Sequence, residues 1–163
     1  MDIRRIYEYA LQREYEGKRF FEQNADRLNN TTAVSAFKNL ALEEQKHIEF
    51  IQNQLELLGR GSGSSTEFGI ALQKEGFFSQ RANSENIEQT VNEAMVADLP
   101  VLRMAYLIEH DLADFYETAS SEVTEDARDV LKMLAAWERN HERLFKRMHD
   151  QAFNEYAKMP WGG

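Results

Sequence analysis

Two Glu-x-x-His pairs, Glu44 with His47 and Glu138 with His141, are the residues of this sequence with the clearest capacity for chemistry. Both pairs follow a Leu-Ala dipeptide at the same distance. Side chains three residues apart project from one face of an α-helix, so each pair could hold a metal ion. Because glutamate is abundant here, two such pairs could also arise by chance. The interpretation therefore depends on whether other candidate ligands exist and on whether the helices place all of them at the same height.

Two further glutamates, Glu14 and Glu109, stand where a packed helix would place apolar residues. Apolar residues recur at spacings of three and four around each of them, which is the pattern of an inward helix face. An unpaired buried carboxylate is unfavourable. Taken alone, Glu14 would therefore be interpreted as a locally hydrated or salt-bridged residue; taken with the two pairs, it is a candidate ligand.

The elements that must position these residues are helices. Apolar periodicity and cap residues predict four long helices, over residues 3–30, 33–58, 99–121 and 125–158.

These helices form two predicted hairpins, residues 3–58 and 99–157. Residues 59–98 are predicted to be a connection that starts with a Gly- and Ser-rich segment and contains shorter helical pieces at 67–78 and 86–97. The whole chain, residues 1–163, is predicted to be a single all-α domain.

Register places the candidate ligands at one height. In an antiparallel hairpin, residues equidistant from the turn lie side by side, and Glu14 and Glu44 are equidistant from Asn29. Glu109 and Glu138 are equidistant from the predicted turn before Thr124. At 1.5 Å per residue, each glutamate lies roughly 20 Å from its turn. The two hairpins also repeat each other at offsets of 94 and 95 residues, so pairing them gathers four carboxylates and two imidazoles.

The chemistry of this set favours two metal ions. Four carboxylates and two neutral imidazoles carry a charge that two divalent cations balance, whereas without metal the carboxylates would repel and take up protons. Oxygen and imidazole ligands without sulfur suit iron or manganese. One Glu from each of two helices, plus a Glu-x-x-His from each of two others, is the ligand set of ferritin-like di-iron and di-manganese proteins.

The sequence resembles the rubrerythrin branch of the ferritin-like family over both hairpins. The matching motifs are Glu14-x5-Phe20-Phe21, Glu44-x-x-His47, Glu109-x5-Phe115-Tyr116 and Glu138-x-x-His141. The resemblance implies a ferritin-like four-helix bundle with a long crossover between its second and third helices. It implies two iron ions, with manganese or mixed metals as alternatives.

The same resemblance assigns a role to each ligand. Glu14 and Glu109 are the implied terminal ligands, and Glu44 and Glu138 are the implied bridging ligands. The remaining members of the set, His47 and His141, are implied to give one nitrogen donor to each metal.

Two departures from the family pattern are visible. The chain has no Cys, so electrons must come from a separate donor protein rather than from an appended cysteine-rich rubredoxin domain. Family members also carry an additional Glu three residues from the one on the third helix, whereas Tyr106 and Leu112 occupy the positions three from Glu109. The match is therefore better to small stand-alone ferritin-like domains.

The expected function is that of a di-iron redox protein which reduces hydrogen peroxide or dioxygen. Tyr106, Tyr116 or Tyr7 could donate a hydrogen bond or an electron there, although packing with a satisfied hydroxyl is the more ordinary role of a buried tyrosine. Two alternatives remain open: a ferroxidase that handles iron, and a metal-binding structural bundle without turnover. A homodimer is implied by family analogy alone.

Composition excludes several other classes. The net charge of −9 argues against nucleic-acid binding, and the absence of Cys excludes disulfides, thiolate catalysis and zinc–cysteine sites. The chain has no signal-like segment and no apolar run long enough to cross a bilayer, so we expect a cytoplasmic protein with no membrane partner. Glu43, Glu49 and Glu16 are expected on solvated helix faces.

Overall fold

The computed structural model describes residues 2–74 and 93–160 of the 163-residue chain. The described part is all-α. Its helices are α1 (Ile3–Ala25), α2 (Thr31–Gly59), α3 (Glu67–Lys74), α4 (Leu99–Ser120) and α5 (Glu125–Lys158), with a 3-10 helix at Glu93–Asp98 before α4.

The four long helices pack as the two expected hairpins. Helix α1 lies mainly against α2 and α4 lies mainly against α5, while the shorter α3 contacts α2. Asp2 caps α1 by accepting the backbone N–H of Arg4, and Pro100 stands in the first turn of α4, where its missing N–H is not needed. The ferritin-like all-α bundle predicted from sequence is confirmed.

Helix α1 ends at Ala25, five residues before the predicted end. Asp98 explains the difference: its buried carboxylate accepts the backbone N–H groups of Asn29 at 2.8 Å and Asn30 at 3.0 Å. These N–H groups are therefore unavailable to a continuing helix. Asn30 caps α2 with its side-chain oxygen, which accepts the backbone N–H groups of Thr32 and Ala33. A partner 69 residues away thus holds the turn that follows α1.

Two apolar clusters fill the bundle, and each long helix contributes to both. One cluster includes Tyr7, Ile51, Tyr116 and Leu134; the other includes Phe21, Phe37, Leu102 and Phe145. Between the two clusters, every long helix presents one or two polar residues to the interior instead of an apolar one. The polar layer is therefore enclosed by apolar packing above and below.

The predicted connection is described in part. The predicted helix at 67–78 is observed as α3 up to residue 74, and the predicted helical piece at 86–97 overlaps the 3-10 helix from residue 93. The remaining positions of the two predicted helices, residues 75–78 and 86–92, lie outside the described residues. Across residues 2–74 and 93–160, none of the helices combines the length and apolar composition needed to cross a membrane.

Candidate metal centre

The six candidate ligands come together in the polar layer at mid-bundle. Helix α1 supplies Glu14, α2 supplies Glu44 and His47, α4 supplies Glu109, and α5 supplies Glu138 and His141. Five of the six are fully buried, and His141 is 3% exposed. Both pairs place ligand atoms within 4.8 Å of one another, a spacing that can hold a metal ion.

Two of the carboxylates lie between the imidazoles. Glu138 approaches His47 Nδ1 with Oε1 at 2.7 Å and His141 Nδ1 with Oε2 at 3.3 Å. Glu44 Oε1 is 3.7 Å from His47 Nδ1 and 3.6 Å from His141 Nδ1. Each of these carboxylates is therefore placed so that it could be shared by two ions.

Each of the other two carboxylates lies close to only one of the two imidazoles. Glu14 Oε2 is 3.2 Å from His47 Nδ1, and Glu109 Oε2 is 3.3 Å from His141 Nδ1. The arrangement thus has two halves, one built on Glu14 and His47 and the other on Glu109 and His141. Below these are called the first and the second half-site.

The donor set fits metal ions better than it fits a neutral core. Both oxygens of Glu44 and Oε1 of Glu109 are buried, and no hydrogen-bond donor in the described part of the chain reaches them. Buried carboxylates are ordinarily paired or bound to a metal, because leaving them bare is unfavourable. Oxygen-rich sites with imidazole nitrogen and no sulfur suit iron or manganese.

Electrostatics supports the same interpretation. Burial, together with the charges of neighbouring carboxylates, raises the pKa of Glu44 well above its ordinary value. Burial and the charge of Glu138 likewise raise the pKa of Glu109, although the hydrogen bond with His141 opposes this. In the absence of cations, these two groups therefore hold protons that metal ions would displace.

The two histidines compensate part of the negative charge. Burial alone would lower the pKa of His47, but the charges and hydrogen bonds of Glu138 and Glu14 outweigh burial and raise the pKa to about 10. The pKa of His141 is also raised, because hydrogen bonds with Glu109, Glu138 and Glu43 outweigh burial. Burial raises the pKa of Glu138, but both imidazoles outweigh it and lower the pKa well below its ordinary value.

Tyr116 belongs to the site, whereas Tyr106 does not contact it. The buried Tyr116 hydroxyl donates a hydrogen bond to Glu14 Oε1. Burial and the nearby carboxylates raise the pKa of Tyr116, which keeps the hydroxyl protonated as a donor. Tyr106 is half-buried and lies with its ring centroid 6.3 Å from that of His149. The hydroxyl of Tyr7 is 2.8 Å from Ser64 Oγ.

The expectation that Glu43 lies on a solvated helix face is wrong. The Glu43 side chain is only 16% exposed, and its Oε2 lies 2.5 Å from His141 Nε2. A signal for this was present: at the offset of 94 residues, Glu43 corresponds to Trp137, a large apolar residue that is expected to face the interior. Trp137 is indeed buried and stacks on His47, with ring centroids 5.1 Å apart.

These features define the class of protein as an all-α, ferritin-like bundle with a buried Glu/His cluster that could hold metal. The chain belongs to the rubrerythrin family, because the model of that family, described as Rubrerythrin, matches residues 5–149. No curated protein and no solved structure matched the chain in the same comparisons.

Proposed function

We propose that the chain is a di-iron carboxylate redox protein that reduces hydrogen peroxide or dioxygen. The observation that carries the proposal is the position of Glu138, whose two oxygens each approach a different imidazole in a fully buried site. A single carboxylate placed in this way suits a pair of ions, since one ion needs only one of the two half-sites.

In the proposed centre, Glu14 and Glu109 would each hold one ion, Glu44 and Glu138 would be shared, and His47 and His141 would each give one nitrogen. All four carboxylates then lose their protons and both imidazoles are neutral, so two ferrous ions balance the charge. Two ferrous ions held side by side would supply two electrons, which is the number needed to reduce one hydrogen peroxide to two waters.

The protein's own residues would orient and shield this chemistry. The two apolar clusters enclose the polar layer and exclude bulk water, which strengthens every charge interaction within it. Tyr116 orients Glu14 through its hydroxyl, which donates a hydrogen bond to Glu14 Oε1. These 163 residues contain no Cys and therefore no rubredoxin-type centre, so electrons would have to reach the site from a centre outside them.

The test is anaerobic loading with ferrous iron, followed by rapid mixing with hydrogen peroxide or dioxygen while oxidation of the site is followed by absorbance. Oxidation much faster with peroxide supports a peroxidase. Faster oxidation by dioxygen supports an oxidase or ferroxidase. Failure to bind about two irons per chain would overturn the di-iron proposal and leave a structural bundle.

Glu44→Ala provides an independent check of the ligand assignment. This change should abolish most binding of the pair of ions, because Glu44 is a proposed shared ligand and no hydrogen-bond donor in the described part of the chain holds it. Glu49→Ala is the matched control, since Glu49 is an exposed glutamate on the same helix. Unchanged iron stoichiometry in Glu44→Ala would contradict the assignment.

A further inference from the structure

Aromatic side chains connect the outer surface of the bundle with one of the candidate ligands. The ring of Tyr9 on α1 meets the ring of Phe115 on α4 edge to face, with centroids 5.0 Å apart. Phe115 in turn contacts the ring of Tyr116, with centroids 5.3 Å apart. The hydroxyl of Tyr116 donates its hydrogen bond to Glu14. Three rings and one hydrogen bond therefore form a continuous line of contacts from the surface to Glu14, which is called the aromatic route below.

The two ends of the aromatic route differ in exposure. Tyr9 is 50% exposed, whereas Tyr116 and Glu14 are fully buried. Phe115 is half-buried between them and lines an open groove of about 390 Å³ on the outside of α4. A molecule at the surface can therefore contact the outer rings of the route, although it cannot touch the carboxylates themselves.

The proposed redox chemistry needs a connection of this kind. After the iron pair has reduced one hydrogen peroxide, it must regain two electrons before it can react again. Those electrons come from outside these 163 residues, which contain no Cys for a second redox centre of the rubredoxin type. Because the ligands are buried, the electrons must cross protein, and electrons tunnel more readily through packed rings and hydrogen bonds than across unfilled gaps.

A second set of rings also leads inward, from Phe68 on α3 through Phe50 and Trp137 to His47. Its two inner steps have centroid distances of 5.2 and 5.1 Å, but its outer step, from Phe68 to Phe50, is 6.5 Å. Phe68 is 36% exposed, which is less than Tyr9. The aromatic route is therefore the more closely packed of the two and the more open to a donor at the surface.

The internal repeat supplies a matched comparison for the middle of the route. At an offset of 95 residues, Phe115 corresponds to Phe20 and Tyr116 corresponds to Phe21. Phe20 is also half-buried, and its ring packs on Phe21 and Phe37. Because Phe21 has no hydroxyl, these rings make no hydrogen bond to a carboxylate. Phe20 is therefore an equivalent aromatic residue that lies outside the aromatic route.

From these contacts we propose that electrons enter the centre along Tyr9, Phe115 and Tyr116, and that a one-electron donor delivers them at Tyr9. This inference rests on the proposed di-iron function. Two donor molecules each lose one electron, and two ferric ions become two ferrous ions. The rings conduct these electrons without being oxidised themselves, so no bond forms or breaks along the route.

The first experiment tests the outer end of the route. Full-length protein loaded with ferric iron is mixed, without oxygen, with reduced methyl viologen as the one-electron donor, and loss of ferric absorbance is followed. Tyr9→Leu should slow this reduction several-fold, whereas Tyr9→Phe, which keeps the ring, should not. Tyr15→Leu is the matched control, because Tyr15 is 43% exposed on the same helix. An unchanged rate in Tyr9→Leu would overturn entry at Tyr9.

The second experiment tests the middle of the route. Thr118→Cys gives the chain one cysteine, in the groove beside Phe115, to which a ruthenium photosensitiser can be attached. Light-driven transfer of an electron from this label to ferric iron should become several-fold slower with Phe115→Leu and stay unchanged with Phe20→Leu. Slower transfer with Phe68→Leu but not with Phe115→Leu would overturn the aromatic route in favour of the second set of rings.

The third measurement needs no iron. In metal-free labelled protein that also carries Tyr9→Phe, the photo-oxidised label should take an electron from Tyr116 through Phe115. The phenol proton then moves to Glu14 along the existing hydrogen bond, and the tyrosyl radical that remains is detected by electron paramagnetic resonance. Tyr116→Phe should abolish this radical, and Phe115→Leu should slow its formation several-fold. A radical unaffected by either change would overturn the route.

These outcomes are separable from the proposed redox function. A radical that depends on Phe115 in the metal-free protein, combined with iron that reacts with neither peroxide nor dioxygen, would support conduction along the route and overturn the redox function. Iron that reacts rapidly with peroxide, combined with no effect of Tyr9→Leu or Phe115→Leu, would support the redox function and overturn the route.

Discussion

The hydroxyl of Tyr116 donates a hydrogen bond to the carboxylate of Glu14, joining the two helix hairpins through residues 102 positions apart. Both side chains are buried. The bond satisfies one oxygen of Glu14 before any metal is present, and it ties the candidate metal centre to the apolar cluster in which Tyr116 packs.

Tyr116→Phe should destabilise the metal-free protein by about 1–3 kcal/mol, because it leaves a buried acceptor without its donor. It should also tighten binding of cobalt(II), since Glu14 regains full donor strength. Chemical denaturation after chelation and a cobalt titration would measure the two effects. Tyr9→Phe is the control, because Tyr9 is half exposed on the same helix as Glu14. Equal effects of both changes would contradict the role of the hydroxyl.

The metal-free protein should lose stability as the pH rises from about 6.5 to about 10. The pKa of His47 is raised from 6.5 to about 10 by Glu138 and Glu14, which outweigh burial. A group whose pKa is raised on folding stabilises the folded state fully below its unfolded pKa, and this stabilisation is lost as the pH passes the folded pKa. Thermal melting of chelated protein across this range would measure the loss.

His47→Gln should flatten this pH dependence, whereas His149→Gln, which lies outside the cluster, should preserve it. Metal affinity should change in the opposite direction and rise with pH, because bound ions displace the protons of both imidazoles. Calorimetry in buffers of different ionisation enthalpy would count the protons released. A metal affinity independent of pH would contradict the expectation that both imidazoles carry protons that bound ions displace.

Gly17→Ala should raise the stability of the metal-free protein and lower its affinity for metal. A Cβ at Gly17 would stand 3.2 Å from Glu44 Oε2, so the carboxylate must shift. Alanine in a helix interior is about 0.5–1 kcal/mol more favourable than glycine, so the metal-free protein should become more stable. Metal affinity should fall, because the shared ligand is displaced.

The control for Gly17→Ala is Gly59→Ala, since a Cβ at Gly59 has nothing within 4 Å. Gly59→Ala should leave metal affinity unchanged. Tighter metal binding in Gly17→Ala would show that the space beside Glu44 is not needed by the centre.

Asp98→Ala should destabilise the bundle by about 3 kcal/mol without changing the number of metal ions bound. The estimate follows from two backbone N–H groups, of Asn29 and Asn30, that lose a partly or fully buried acceptor at about 1–3 kcal/mol each. Asp111→Ala, at an exposed aspartate on α4, is the control. Lost metal binding at unchanged stability would show that Asp98 acts on the site rather than on the turn.

Much of the bundle and of the site could be predicted from sequence, because helical periodicity is a local property. A carboxylate such as Glu14 in an apolar seam is visible along the chain, and equal distances from a turn place Glu14 beside Glu44 without any knowledge of tertiary contacts. The Glu-x-x-His spacing likewise puts Glu138 and His141 on one face. These local rules were sufficient to predict the all-α fold and to choose the six residues that the structure gathers.

Only the tertiary structure decided which residues far apart in the chain come into contact. Glu43 meets His141 across 98 positions, and Asp98 meets Asn29 across 69, because the packing of the two hairpins brings these pairs together. The correspondence with Trp137 in the repeat hints that Glu43 faces the interior, but its contact with His141 depends on which neighbour covers that helix edge. The sequence alone thus determined the candidate ligand set, whereas tertiary packing decided which residues surround it.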